Sequence, residues 1–167
     1  MAVYTKNEVL KLIRAKKIKI SPFDQKNIGP GSIDLTLSNK FREFKDVWKT
    51  FDIKPNSDYK QITNAKTIKK FYILETKESV LAMTKEKISL PENVCGWIMT
   101  RSRFARIGLV ANASFVQPGS ENKPIIELFN AGPRPLALYP GTKVAQMILE
   151  TTVGTAKYKG KFKQQTI

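Results

Sequence analysis

From Ser32 onward the chain is written in short extended segments, and this limits the folds open to it more than any other feature. The first, SIDLTL, alternates cleanly, with Ile33, Leu35 and Leu37 on one face and Ser32, Asp34 and Thr36 on the other. KFYILE, SVLAMT, CGWIMT, GLVANASFV, PIIELFN, LALYP and KVAQMILE follow, parted by clusters of Pro, Gly, Asn and Lys. Many short strands with frequent turn signals predict an all-β sandwich or barrel. One helix precedes them: Thr5 and Glu8 make a Thr-Lys-Asn-Glu capping box ahead of Val9, Leu10, Leu12 and Ile13, and the helix is expected to end near Lys16 and Lys17. The 167 residues suffice for one domain, 1–167. Residues 46–69 are polar and irregular and read as a long excursion from the sheet, and 154–167 as a basic C-terminal arm.

The strand CGWIMT runs into RSRFAR, where Arg101, Arg103 and Arg106 fall within six positions. Only six of the 29 basic residues are arginine, so three together is a concentration. Arginine forks match phosphate oxygens in a way that lysine cannot. If Ser102 caps a helical turn, free N–H groups face the same anion, and Ser102 and Arg106 lie on one side of the turn. The competing reading is an exposed basic turn without a ligand. A net charge of +15 favours polyanionic partners, although scattered lysine also reads as plain solvated surface.

Residue types that are missing narrow the chemistry. With no histidine and a single cysteine, the chain cannot supply the usual zinc ligand sets or run Ser-His-Asp or Cys-His catalysis. Hydrolysis then rests on carboxylates, hydroxyls, arginines or an oxygen-bound ion such as magnesium. Cys95, inside NVCGWIM, reads as a small buried hydrophobe. One cysteine, no apolar run of membrane-spanning length and no apolar core in MAVYTKNEVL lead to the expectation of a cytoplasmic protein that does not enter a membrane.

Glu127 is the carboxylate that stands out, since it interrupts the apolar run PIIELFN. Burying it unpaired is costly. Either an arginine neutralises it, or desolvation lifts its pKa toward the range of a general base. Asp34 faces solvent or reaches a magnesium-bound water on a phosphate ligand. Gln146, in VAQMIL, donates to a phosphate or satisfies a backbone group.

Taken in order, these stretches resemble the dCTP deaminase and dUTPase superfamily. The likeness runs through IKISPFDQKNIGPGSIDLTLSNKFREF, LPENVCGWIMTRSRFARIGL, QPGSENKPIIELFNAG and LYPGTKVAQMILE, and KYKGKFKQQ is similar to the deaminases' closing arm. The resemblance implies a distorted β-barrel or jelly-roll-like subunit, a homotrimer with nucleotide sites between subunits, and deamination of dCTP without zinc. By position, Glu127 would be the general base for water attacking C4 of cytosine, and Ser102 and Arg106 would hold and polarise the reacting groups. Arg101 and Arg103 would lie in the phosphate region. Gln117, Ile125, Ile126 and Gln146 would line the substrate, with Lys157, Tyr158 and Lys161 in the arm closing over it. Mg²⁺ would come with the triphosphate, and Asp34 would reach it through water.

The chain departs from the family pattern in four places. Arg103 replaces a second serine, Gln117 replaces an aspartate, Ser120 replaces an aromatic residue and Lys161 replaces a glutamine. Glutamine hydrogen-bonds but cannot act as a base. On that ground the expected reaction is dCTP to dUTP and ammonia, and an enzyme carrying dCTP on to dUMP is disfavoured. The alternatives are a dUTP diphosphatase and a divergent nucleotide-binding paralogue with little activity. A nucleic-acid partner is not expected, because only Tyr158 and Phe162 are interleaved with lysine in the arm.

Overall fold

The computed structural model describes residues 2–46 and 49–160. A nine-residue helix, α1 (Lys6–Arg14), leads twelve strands: β1 (Lys19–Ser21), β2 (Ile33–Phe44), β3 (Thr63–Thr67), β4 (Tyr72–Leu74), β5 (Ser79–Thr84), β6 (Lys87–Ser89), β7 (Val94–Thr100), β8 (Leu109–Asn112), β9 (Glu121–Asn122), β10 (Ile125–Asn130), β11 (Leu136–Leu138) and β12 (Lys143–Thr151). A single helical turn, α2 (Ser102–Ala105), separates β7 from β8.

The main sheet runs β7-β12-β2-β5-β10-β8, with β3 also paired to β2. β2 is long enough to serve two neighbours, β12 along its first half and β5 along its second. The outermost strands of that order come together, because the Ala111 N–H of β8 donates to the Thr100 hydroxyl of β7 at 2.6 Å. The sheet is therefore a nearly closed barrel. Small sheets β1-β6-β9 and β11-β4 complete it. Inward residues alternate as the pattern predicts: Leu35, Leu37, Phe41, Val80, Ala82, Ile126, Leu128, Ala145 and Met147 are fully buried. The all-β, barrel-like class with one short N-terminal helix is what forms.

Three local expectations need correcting. Thr5 takes the N-cap position of α1 but its side chain makes no cap bond, and Glu8 instead accepts from Lys11 at 2.6 Å. The helix stops at Arg14, short of Lys16 and Lys17, as Lys16 turns left-handed with φ 57°. The excursion over 46–69 also contains β3, which pairs with β2 from Thr63 opposite Phe44 to Thr67 opposite Lys40. Its sequence, TNAKT, is polar because all but Thr63 point to solvent. No helix among the described residues is long and apolar enough to cross a membrane.

Gly108 holds α2 against the sheet. Its φ is +89°, and a Cβ there would lie 2.5 Å from the Gly132 Cα. Gly108→Ala is expected to cost at least about 1–3 kcal/mol of stability, since it adds left-handed strain to a backbone clash. Urea unfolding of the variant checks this.

Candidate active site

Strand alternation places Glu127. On β10, Ile126, Leu128 and Asn130 turn inward, while Ile125, Glu127 and Phe129 face outward and are partly exposed. Glu127 pairs with Leu81 on β5 and Asn112 on β8. Directly paired residues share a sheet face, so these neighbours flank it. The Ser79 hydroxyl donates to Glu127 Oε1 at 2.9 Å. Among the described residues no arginine forms an ion pair with it, so the donor anchoring this carboxylate is a serine. Around it opens a cleft of about 420 Å³ lined by Tyr59, Leu81, Asn112, Ala113, Ser114, Ile125 and Glu127.

A second cavity, about 160 Å³, adjoins this cleft through Ala113, Ser114 and Ile125, and Gln117, Ser120, Asn122 and Tyr158 line it further on. Among the described residues its polar lining carries no formal charge, which suits a hydroxylated, neutral part of a ligand. The Ser120 hydroxyl is buried there without a hydrogen-bond partner among the described residues. The arm reaches this cavity: the Tyr158 N–H donates to the Pro118 carbonyl at 3.0 Å, and Lys157 lies 3.9 Å from Glu92. Lys161 lies outside the described residues. Ile126 does not join the site, because its side chain is fully buried in the core. Consecutive strand residues face opposite ways, so Ile125 and Ile126 cannot both line one cleft.

The arginine cluster lies elsewhere on the barrel. Arg101, rather than Ser102, occupies the N-cap position of α2, without a side-chain cap bond. Its Nε is 3.2 Å from Asp34 Oδ1, and Lys143 Nζ is 3.9 Å from the other oxygen. Gln146 pairs with Asp34 across β12 and β2 and accepts from the Ser32 hydroxyl at 3.1 Å. Asp34 is thus not free in solvent: two cations already flank its carboxylate. Ser102, Arg103 and Arg106 are exposed, and among the described residues neither Arg103 nor Arg106 makes an ion pair.

Among the described residues no hydrogen bond or ion pair joins these two groups within one chain. β8 and β10 run antiparallel with Asn112 beside Glu127, and Gly108 lies opposite Ala131. Gly108, three residues beyond α2, is therefore about 13 Å along the strand from Asn112, the neighbour of Glu127. One chain offers a carboxylate cleft at one place and a cationic, hydroxyl-bearing turn at another.

A family model described as dCTP deaminase-like matches residues 3–152. The chain belongs to the dCTP deaminase-like family. It is 31% identical over 161 residues to a protein of Persephonella marina named "dCTP deaminase, dUMP-forming", across 95% of this chain and 89% of that one. A Methanosphaera stadtmanae protein of the same name is 32% identical over 157 residues, across 90% of this chain and 80% of the relative. In fold, this deaminase-like chain matches the solved 2'-deoxycytidine 5'-triphosphate deaminase from Agrobacterium tumefaciens with a TM-score of 0.70 at 18% identity. That match covers 90% of this chain and 48% of the other, so this chain spans about half of that solved chain. The dUTPase of EIAV matches with a TM-score of 0.56 at 17% identity, over 86% of this chain and 94% of that one. The protein is a dCTP deaminase-like hydrolase.

The relatives' names overturn one expectation. They are dUMP-forming, so dUTP is not the product the family context supports, and a separate dUTP diphosphatase is no better supported. The error lay in letting Gln117 decide against a second hydrolysis. An amide cannot take a proton, yet it can hold and orient a water.

Ser79, Asn112, Ser114, Asn122 and Tyr59 had no signal of their own in the sequence. Strand register and loop path bring them to Glu127 and Gln117.

Proposed function

We propose that this protein converts dCTP and two waters into dUMP, ammonia and pyrophosphate in the cytoplasm. The observation that carries the deamination is the Glu127 carboxylate, open to the cleft with one oxygen engaged by Ser79. The other oxygen takes a proton from water attacking C4 and delivers it to N3. It then takes the proton of the new C4 hydroxyl and passes it to the amino group, which leaves as ammonia as the C4 carbonyl forms. Pyrophosphate release by a second water at the α-phosphorus accounts for dUMP, the product in the relatives' names.

The nucleoside lies along the joined cavities, with the base toward Glu127 and the sugar toward Gln117. In a homotrimer, Ser102 and Arg106 of a neighbouring subunit complete the base end, and Arg101 and Arg103 serve the triphosphate. The separation of the two groups within one chain supports shared sites. Lys157, Tyr158 and Lys161 close the arm over the nucleotide.

Mg²⁺ enters as the metal complex of the substrate. Among the described residues no group of three or more His, Cys, Asp or Glu side chains could cage a metal. One carboxylate, Asp34, fits an ion that keeps its waters and is held mainly by phosphates. The net charge of +15 raises the local concentration of such an anion.

The test is incubation with Mg·dCTP while ammonia, pyrophosphate and nucleotide products are followed together. Equal ammonia and pyrophosphate with dUMP is the expected result. Ammonia with accumulating dUTP would overturn the second hydrolysis, and no ammonia would overturn the first.

A further inference from the structure

The loop between β2 and β3 does more than leave and rejoin the barrel: it places an aromatic ring on the wall of the Glu127 cleft. Across the sheet, Arg42 on β2 pairs with Leu81 on β5, and Leu81 pairs with Glu127 on β10. The three share one face, with Arg42 and Glu127 two strand spacings or about 10 Å apart. Arg42 is nearly buried and committed to the loop's return: Nε donates to Thr63 Oγ1 at 2.8 Å and Nη2 to the Thr63 carbonyl at 2.9 Å. The Thr63 hydroxyl in turn donates to the Tyr59 carbonyl at 2.8 Å, and the Arg42 guanidinium lies over the Tyr59 ring, 5.5 Å from its centroid. The Asp58 side chain, which accepts the Lys60 N–H, fixes the turn that carries Tyr59.

So much anchoring is more than a surface loop needs. Arg42 lies over the face of the Tyr59 ring and holds Thr63, whose hydroxyl ties down the Tyr59 carbonyl. The ring borders a cleft whose other walls are Leu81, Ala113, Ile125 and polar side chains. Among the described residues Tyr59 is the only aromatic on that wall. A planar heterocycle brought to Glu127 meets it there, and base–aromatic stacking is sequence-tolerant and worth about 1–3 kcal/mol.

We infer that Tyr59 is the stacking wall for the pyrimidine base and that Arg42 positions it. This inference rests on the reading of the Glu127 cleft as the base site. Tyr59 then contributes to holding the base, whereas Glu127 performs proton transfer, so their loss should have different kinetic signatures.

The experiment compares Tyr59→Phe and Tyr59→Leu with the unaltered protein in steady-state kinetics with Mg·dCTP, in calorimetric titration with dCTP and in thermal unfolding. Tyr59→Leu is expected to raise both KM and Kd about tenfold, as loss of a stacking partner requires. Its kcat should stay within about threefold, with an unchanged thermal midpoint, and Tyr59→Phe should behave as the parent. Unchanged KM and Kd in Tyr59→Leu overturn the inference. So does a Tyr59→Phe defect as large as that of Tyr59→Leu, which would assign the effect to the hydroxyl. If the parent protein binds dCTP without releasing ammonia, the reaction falls while the titrations still decide the role of Tyr59. If it does neither, both readings fall.

Discussion

Glu127→Gln is expected to lower ammonia release from dCTP by about 10²- to 10⁴-fold, the range for removing a general acid–base group. The substitution is nearly isosteric. The amide oxygen can still accept from Ser79, which approaches Glu127 Oε1 at 2.9 Å, so the outward geometry of β10 is kept. What it loses is the ability to take a proton from water and pass it on. Accordingly kcat should collapse while Kd for dCTP changes by less than about threefold, the signature of an interaction made in the transition state. Ser79→Ala should give a milder loss, about tenfold, because it frees the carboxylate without removing it. With dUTP supplied directly, the glutamine variant should still release pyrophosphate, since that step does not use Glu127. Ammonia release near the parent rate in Glu127→Gln would sink the assignment.

What could be read from the chain depended on whether a feature was local. The alternation in SIDLTL and PIIELFN identified the main strands, because one face of each had to meet the core. TNAKT lacked that signal, since it pairs with β2 along an outer stretch where four of its five side chains are exposed. Glu127 was visible as a carboxylate among apolar neighbours, and the period of two explains it: its neighbours Ile126 and Leu128 are the core and Glu127 is the surface of the cleft. The same period removed Ile126 from the site. Arg42 and Tyr59 were invisible as a pair. Seventeen positions apart and in unremarkable contexts, they meet only because β3 returns antiparallel to β2 and brings Thr63 back beside Arg42. Asp34 and Arg101 were each singled out, but as ligands for something else. Their 3.2 Å ion pair means that a triphosphate bound as proposed would compete with Asp34 for Arg101. The product in the relatives' names followed from none of these residues, and Gln117 argued against it.

If the protein forms the homotrimer proposed above, mixed trimers provide the sharpest test of whether Glu127 and Arg106 of different subunits share a site. Arg106→Ala and Glu127→Gln, each alone, are expected to leave about 1% of parental deamination or less. Suppose both are coexpressed with different tags, and only assemblies carrying both tags are kept. If each site takes Glu127 from one subunit and Arg106 from the next around a closed ring, a mixed trimer of either composition contains one site with both native groups. Activity should then recover to about a third of the parental value, on the order of thirtyfold or more above either variant. If one chain supplied both groups, no combination of these subunits could build a native site, and mixed trimers would stay at background. The geometry favours recovery: Arg106 is exposed and, among the described residues, makes no ion pair, and the length of β8 separates it from Asn112, which lines the Glu127 cleft. Background activity in verified mixed trimers would place the whole reaction on one subunit, and Arg106 would then have to be replaced as the partner of Glu127.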